Sequence, residues 1–241
     1  MHLSDFLNYI EFERRYSVHT ISSYTNDLQQ FSDYLKETFQ VEEAKEVEFV
    51  FIRSWISILM DEGKSPRTVN RKLSSLKSYF KYLLKVGKVE HNPVLMITGP
   101  KNRKKLPVFI EEKSMNILFA DYQEVNSYEE ARDRLVVELF YTTGIRREEL
   151  IGLKNVDIDL KKMLFKVLGK RNKERLIPIH TSIVPLINSF NYQKEVALLN
   201  DASTSFFFLT SKGKKMYPKL VYRIVNNYLS RVSTQKKKSP H

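Results

Sequence analysis

Arg146 is the first residue whose position suggests chemistry. It follows Gly144 in the segment "YTTGIRREEL", where the glycine suits a turn and the apolar residues suit the first turns of a helix. The start of a helix already carries unpaired N–H groups and a partial positive charge, so a cation there is locally unfavourable. Two interpretations remain open: Arg146 pairs with Glu148 or Glu149 on its own helix, or it meets an anionic ligand.

A second cluster lies in "GKRNKER", which reads as the turn of a β-hairpin. Glu174 is the only acidic residue in this segment, which carries four cations: Lys170, Arg171, Lys173 and Arg175. A solubilising turn accounts for one or two of them. Four cations at one hairpin tip repel one another, so the pattern favours an anionic ligand.

The third segment is the end of the sequence, "KKKSPH", which closes on His241. Ser-Pro suits the cap and first position of a helix. A helix start with no helix after it predicts a chain that has been cut short.

Composition narrows the class of ligand. The 241 residues include 40 basic and 28 acidic residues, a net charge of +12, which favours nucleic acid as partner over an anionic membrane surface. There is no cysteine, and the five histidines lack metal-ligand spacing, so we expect no disulfide, no thiolate nucleophile and no built-in metal site. No apolar run approaches the roughly 20 residues of a membrane span, and no signal peptide is recognisable, so we expect a cytoplasmic protein.

The positive charge is concentrated in one segment. Residues 1–62 hold 5 basic and 12 acidic residues, whereas residues 63–105 hold 12 basic residues and a single acid, Glu90. Within it, "SPRTVNRKLSSLKSYFKYLLKVG" predicts a helix capped by Ser65 and ended by Gly87. We predict that its non-apolar face is cationic and contacts phosphates, through Arg67, Arg71, Lys72, Lys77, Lys81 and Lys85.

The spacing of apolar residues predicts a helical first half and a mixed second half. Residues 1–99 read as four helices; the first places Phe6, Ile10 and Phe12 on one face. Residues 100–107 read as a basic linker. Residues 108–241 read as helices around a small antiparallel sheet of about three strands, with a capping box from Ser127 to Glu130. "SFFFLT" reads as a short buried strand or an extended core segment.

The chain resembles the tyrosine recombinases (the phage integrase family), and among them the bacterial Xer-type integrases. "TGIRREELIGL" is similar to the family's first arginine motif, "VLGKRNKERLIPI" to its β-hairpin lysine motif, and "SPH" to the opening of its H-x-x-R box. The first hundred residues resemble its SAM-like core-binding domain. The resemblance implies an N-terminal four-helix domain, then a mostly helical catalytic domain with a three-stranded antiparallel sheet that is C-terminally incomplete.

The resemblance also implies site-specific DNA recombination, in which a tyrosine attacks a phosphodiester and forms a 3′-phosphotyrosyl bond. Arg146 matches the first of two arginines that bind the non-bridging oxygens, and Glu149 the acidic position that orients it. Lys170 matches the general acid for the 5′-oxygen, with Lys173 as the open alternative. His241 matches a histidine that donates a hydrogen bond to the same phosphate. Such an enzyme needs no cofactor and no metal.

Duplex DNA and other recombinase protomers, as a tetramer on paired sites, are the implied partners. The predicted DNA contacts are Arg67, Arg71, Lys72, Lys77, Lys81, Arg103, Lys104, Arg171, Lys173 and Arg175. In the family the second arginine and the nucleophilic tyrosine follow the position that His241 matches. We therefore expect the 241-residue chain to bind duplex DNA without cleaving it. A non-catalytic accessory or regulatory DNA-binding protein is the alternative, and the choice between chromosome-dimer resolution and mobile-element integration stays open.

Overall fold

The computed structural model of the protein describes residues 3–102, 110–120, 126–169, 173–197 and 205–232. The chain divides into two compact units, residues 1–106 and 107–241, and each has its own hydrophobic core. The division falls within the segment predicted as a basic linker, of which residues 103–107 lie outside the described ranges.

The described part of the first unit is helical, as predicted. Its four α-helices are α1 (Ser4–Asn8), α2 (Val18–Phe39), α3 (Phe49–Asp61) and α4 (Pro66–Lys85). A π-helical turn (Tyr9–Glu13) follows α1, and 3₁₀ turns cover Ala44–Glu46 and Pro93–Met96.

Helix α4 begins and ends where its sequence signals lie. The Ser65 hydroxyl accepts the backbone N–H of Thr68 at 3.2 Å, and Pro66 fills the first helical position. Beyond the last turn, Gly87 adopts a φ of +70°, a left-handed conformation that favours glycine.

The core of the first unit forms mainly where α2, α3 and α4 pack together, with Phe31, Trp55 and Phe80 among its buried aromatic residues. Phe6 and Ile10 are buried in it, but Phe12 is 71% exposed. The prediction that these three share a face is wrong. Ile10 follows Phe6 by four positions, whereas Phe12 follows Ile10 by two and points away, about 200° around a helix from Ile10.

The described part of the second unit is mixed, as predicted. Its helices are α5 (Glu112–Ala120), α6 (Tyr128–Thr143), α7 (Arg147–Gly152), α8 (Val184–Val196) and α9 (Pro218–Val232). Its strands are β1 (Ile158–Asp159), β2 (Leu164–Leu168) and β3 (Glu174–Pro178), and 3₁₀ turns cover Asn155–Asp157 and Thr181–Ile183.

The three strands form an antiparallel sheet in the order β1-β2-β3, which confirms the predicted sheet. Phe165 faces Ile177 across the β2–β3 hairpin and both are buried; Val167, also buried, faces Arg175. Because side chains alternate along a strand, Arg175 shares the core-facing side of β3 with Ile177.

Residues 205–209 are an extended core segment rather than a strand of the sheet. Phe207 and Phe208 are buried against Phe190 of α8, and an isolated bridge joins Phe206 to Lys154. The buried Lys194 ammonium donates to the carbonyl oxygens of Phe206 and Phe207, at 3.3 and 2.9 Å. The segment is therefore held by side-chain donors as well as by apolar packing.

The capping box predicted for α6 is only half formed. The Ser127 hydroxyl accepts the N–H of Glu130 at 3.3 Å, but the Glu130 carboxylate accepts the N–H of Asn126, at 3.1 Å. Nowhere in the described ranges is a helix both long and apolar enough to cross a bilayer.

Candidate phosphate-binding site and nucleic-acid interface

The turn between α6 and α7 sets the position of Arg146. Gly144 ends α6 with a φ of +60°, and the Thr143 hydroxyl accepts the N–H of Ile145 at 3.2 Å. Ile145 is buried and anchors the turn, whereas Arg146 is extended at the N-cap of α7. The Arg146 side chain is 62% exposed, so its guanidinium reaches solvent at the start of a helix.

Glu149 is buried beneath Arg146 and binds it twice. Its Oε2 accepts the Arg146 backbone N–H at 2.9 Å, and its Oε1 accepts the guanidinium Nη1 at 2.8 Å. The carboxylate lies in the first turn of α7, where the helix dipole favours negative charge. The pairing that the sequence left open is present, and it leaves the Arg146 side chain accessible to a ligand.

Arg175 reaches the same carboxylate from the sheet. Its Nη2 donates to Oε2 of Glu149 at 2.8 Å and its Nε to Oε1 at 3.3 Å, a two-point contact. Burial acts to raise the pKa of Glu149, but the hydrogen bonds from Arg175 and from Arg146 outweigh it and hold the pKa below its usual value. Glu149 is therefore ionised at neutral pH.

The ends of the β2–β3 hairpin, which carries Lys173, lie next to the Glu149 carboxylate. The Gly169 N–H donates to the Lys173 carbonyl at 2.7 Å, closing the hairpin. A Cβ atom added at Gly169 would lie 3.4 Å from Oε1 of Glu149. Lys173 is exposed, and Lys166 pairs with Glu174 across the outer face at 2.9 Å.

The structure thus brings Arg146, Glu149 and Arg175 together, with Lys173 on the hairpin two residues before Arg175. Their roles toward DNA stay predictions. Five predicted site residues lie outside the described ranges: Arg103, Lys104, Lys170, Arg171 and His241.

The predicted cationic face of α4 is present in part. Five of its six cations are exposed: Arg67, Arg71, Lys77, Lys81 and Lys85. Arg71 also pairs with Asp27 of α2, and its side chain remains 49% exposed.

Lys72 does not lie on that face, so the prediction that placed it there is wrong. It is 4% exposed, and its ammonium donates to Asp27 and to Gln30 of α2. It also lies 5.6 Å from the centre of the Trp55 ring. Lys72 lies on α4 and contacts α2 and α3 inside the unit. A buried ammonium is tolerated there because the Asp27 carboxylate compensates its charge.

Asp27 is a residue that our reading of the sequence missed. It is 1% exposed and accepts from Arg71, from Lys72 and from the Ser75 hydroxyl at 2.9 Å, all on α4. One buried carboxylate therefore fixes how the basic helix sits on α2.

Within the described ranges, no group of three or more histidine, aspartate or glutamate side chains could hold a metal ion. In the second unit, the groups of the site that can bind an anion are the guanidinium groups of Arg146 and Arg175. Arg146 and Arg175 contribute two positive charges against one on Glu149, so the described trio carries a net charge of +1. A planar guanidinium can donate two parallel hydrogen bonds to two oxygens of one phosphate.

The chain belongs to the phage integrase family. Residues 109–241 match the phage integrase family itself, and residues 3–87 match the phage integrase N-terminal SAM-like domain. Tyrosine recombinase XerC of Chlorobaculum tepidum is 35% identical over 263 residues, covering 99% of this chain and 78% of that protein. XerC of Thermodesulfovibrio yellowstonii is 32% identical over 244 residues, covering 100% of this chain and 79% of that one.

Solved structures share the fold. XerH site-specific recombinase, in a post-cleavage complex with its palindromic difH substrate, matches with a TM-score of 0.73 at 21% identity, over 95% of this chain and 67% of that one. A lambda integrase (75–356) dimer bound to a COC′ core site matches with a TM-score of 0.69 at 16% identity, over 98% of this chain and 79% of that one. The SAM-like helical unit followed by a mostly helical unit with a three-stranded sheet is thus the tyrosine recombinase fold.

Proposed function

We propose that the protein is a tyrosine recombinase that breaks and rejoins duplex DNA at specific sites. The observation that carries this is the exposed Arg146 guanidinium, held at a helix start by a buried carboxylate that Arg175 shares. An exposed guanidinium that is held by a buried carboxylate, within a group of net charge +1, is suited to bind an anion. A DNA phosphodiester is the anion on which its relatives act.

Arg146 acts on the phosphate undergoing attack. As a tyrosine oxygen adds to phosphorus, charge grows on the non-bridging oxygens, and a fixed guanidinium stabilises that charge more than it stabilises the ground state. Glu149 keeps Arg146 in place during this change because it holds both the backbone and the side chain. Lys170 protonates the departing 5′-oxygen and His241 donates to the same phosphate, as the family resemblance implies.

The first unit supplies affinity for the duplex. The exposed cations of α4 neutralise backbone phosphates and release counterions. Assembly with further protomers on paired sites, and work in the cytoplasm where bacterial DNA lies, complete the proposal.

A nicked duplex tests the proposal. Duplexes are selected from a randomised pool by binding to the protein expressed from its whole reading frame, wherever that frame ends, and are then nicked so that cleavage traps the complex. We expect a covalent adduct on a denaturing gel that maps to a tyrosine by mass spectrometry. Arg146→Ala should slow its formation about 100- to 1000-fold, the typical loss for one charge-stabilising donor.

Arg147→Ala is the matched control. Arg147 is the next residue and pairs with the exposed Glu148 at 2.9 Å, so its loss should leave the rate nearly unchanged. A wild-type protein that binds the selected duplexes but forms no adduct would contradict the proposal and favour the non-catalytic alternative.

A further inference from the structure

Arg175 is a charged residue on the side of β3 that faces the hydrophobic core. It shares the core-facing side of β3 with the buried Ile177, opposite the buried Val167. A guanidinium directed toward a core needs a compensating acceptor. Its acceptor is Glu149, whose side chain is 3% exposed and which it contacts through two nitrogen atoms.

The Glu149 carboxylate is fully used by these contacts. Oε1 accepts from Nη1 of Arg146 and Nε of Arg175, and Oε2 accepts from the Arg146 backbone and Nη2 of Arg175. Two cations therefore share one negative charge. Without Arg175, the pair of Arg146 and Glu149 would be neutral, and a guanidinium neutralised by its own carboxylate stabilises less of the charge that develops on a phosphate in the transition state.

The contact between Arg175 and Glu149 also fixes the position of the β2–β3 hairpin. Gly169 and Lys173 close the loop by a 2.7 Å hydrogen bond, and Gly169 lies against Glu149 so closely that a Cβ atom there would be 3.4 Å from Oε1. Arg175 follows Lys173 by two residues. Its contact with Glu149 thus links the described end of the hairpin, from Lys173 to Arg175, to the residue that holds Arg146.

We propose that Arg175 is a positioning residue of the cleavage site, which acts through Glu149. It leaves Arg146 with net positive charge to offer the phosphate, and it holds the hairpin ends, Gly169 and Lys173, next to the start of α7. The inference rests on the proposed recombinase function, and it assigns Arg175 a role other than the direct DNA contact predicted from the sequence.

Single-turnover cleavage separates these roles. Arg175→Gln, Arg175→Lys, Glu149→Gln and the Arg175→Gln/Glu149→Gln double variant are compared on the selected nicked duplex, in the protein from its complete reading frame. The cleavage rate at saturating DNA, the Kd, its salt dependence and the thermal midpoint are measured for each. Arg147→Gln is the control, since Arg147 also donates through two nitrogen atoms, but to one oxygen of the exposed Glu148.

We expect Arg175→Gln to cleave about 10- to 100-fold more slowly, as small displacements of catalytic groups do, with Kd and salt slope unchanged. Arg175→Lys, which keeps the charge but not the two-point contact, should fall between. The double variant should be no slower than the slower single variant, because both act through one carboxylate. Should Arg175→Gln fail to fold, a wild-type rate in Arg175→Lys would overturn the proposal.

Three results would refute a positioning role. The first is an unchanged cleavage rate in Arg175→Gln, and the second is multiplicative effects in the double variant. The third is a weaker Kd with a salt slope reduced by about 0.9, because that reduction is expected when a side chain that bound a phosphate directly is removed. An inactive wild type would instead refute the proposed function itself.

Discussion

At the scale of single residues, the site depends on one buried carboxylate between two partly exposed arginines. Glu149 is 3% exposed at its side chain, whereas the side chains of Arg146 and Arg175 are 62% and 40% exposed. Both cations keep access to water, so the contacts cost less desolvation than a fully buried ion pair would. Their contribution to stability is accordingly that of charge-assisted hydrogen bonds rather than of a buried salt bridge.

This arrangement predicts a pH-dependent stability. The folded-state pKa of Glu149 is depressed, so its contribution is complete above the ordinary glutamate pKa of about 4.3 and is lost as the pH falls through the folded value. Glu149→Gln should lower the free energy of unfolding at pH 7 by about 1–3 kcal/mol, with a difference that shrinks below about pH 4. Urea titrations followed by far-UV circular dichroism, at pH values from 7 to 3, measure it.

Glu148→Gln is the control on the same helix, because Glu148 is 62% exposed at its side chain and its pair with Arg147 lies in solvent. It should change stability by less than about 0.5 kcal/mol at any pH. A Glu149→Gln deficit that persists undiminished at pH 3 would contradict the assigned role of the ionised carboxylate.

The helical partner of Arg146 could be narrowed to Glu148 or Glu149 from the sequence because both lie within one turn of it, and the family resemblance indicated Glu149. The third member could not be assigned from charge alone, and Arg175 was grouped with the other hairpin cations. Its position carries a usable signal: it lies two and four residues before Ile177 and Ile179, which are buried. In a strand that parity directs the side chain inward, where a cation requires a partner.

At the scale of elements, the same kind of signal explains the misplaced Lys72. It follows the buried Val69 by three residues and precedes the buried Leu76 by four, so it falls within the apolar stripe of α4. Asp27 likewise lies four residues before the buried Phe31 on α2. Charged residues at core spacing on two helices predict a buried pair, and charge composition alone concealed it.

The basic face of α4 predicts a specific loss of DNA affinity. Lys77→Glu combined with Lys81→Glu should weaken duplex binding strongly and reduce the slope of log K against log salt by about 0.9 for each phosphate that is no longer neutralised. Reversing Arg71 is a poorer test, since a glutamate there would face Asp27 and unsettle the packing of α4 on α2. Fluorescence anisotropy with a labelled duplex across salt concentrations gives the slope.

Lys36→Glu with Lys45→Glu makes the same change in net charge outside α4. Both lysines are exposed and paired to neighbouring glutamates, Glu42 and Glu43. If this control lowers the affinity and the slope as much as the α4 variant does, net charge rather than the α4 face governs binding.

At the scale of the whole molecule, charge and packing divide along the chain in different ways. The basic excess of residues 63–105 lies wholly inside the first unit, after an acidic stretch, residues 1–62, that contains all of α2 and α3. The two hydrophobic cores, in contrast, share no residue among those described. Trp55, the only tryptophan, is 4% exposed within the first core, 4.9 Å from the ring of Phe31.

Separate cores predict separate unfolding transitions, which two substitutions distinguish. Lys194→Met leaves the buried Phe207 carbonyl of the second unit without its 2.9 Å donor, which lowers the free energy of unfolding by about 1–3 kcal/mol. This loss is expected even though burial lowers the pKa of Lys194 and disfavours its charged form. Asp27→Asn leaves the Lys72 ammonium buried without a carboxylate in the first. In urea, Lys194→Met should shift the circular dichroism transition and leave that of Trp55 fluorescence in place. Asp27→Asn should shift the Trp55 transition, and a Trp55 midpoint that moves equally in both variants would mean that the two units unfold as one.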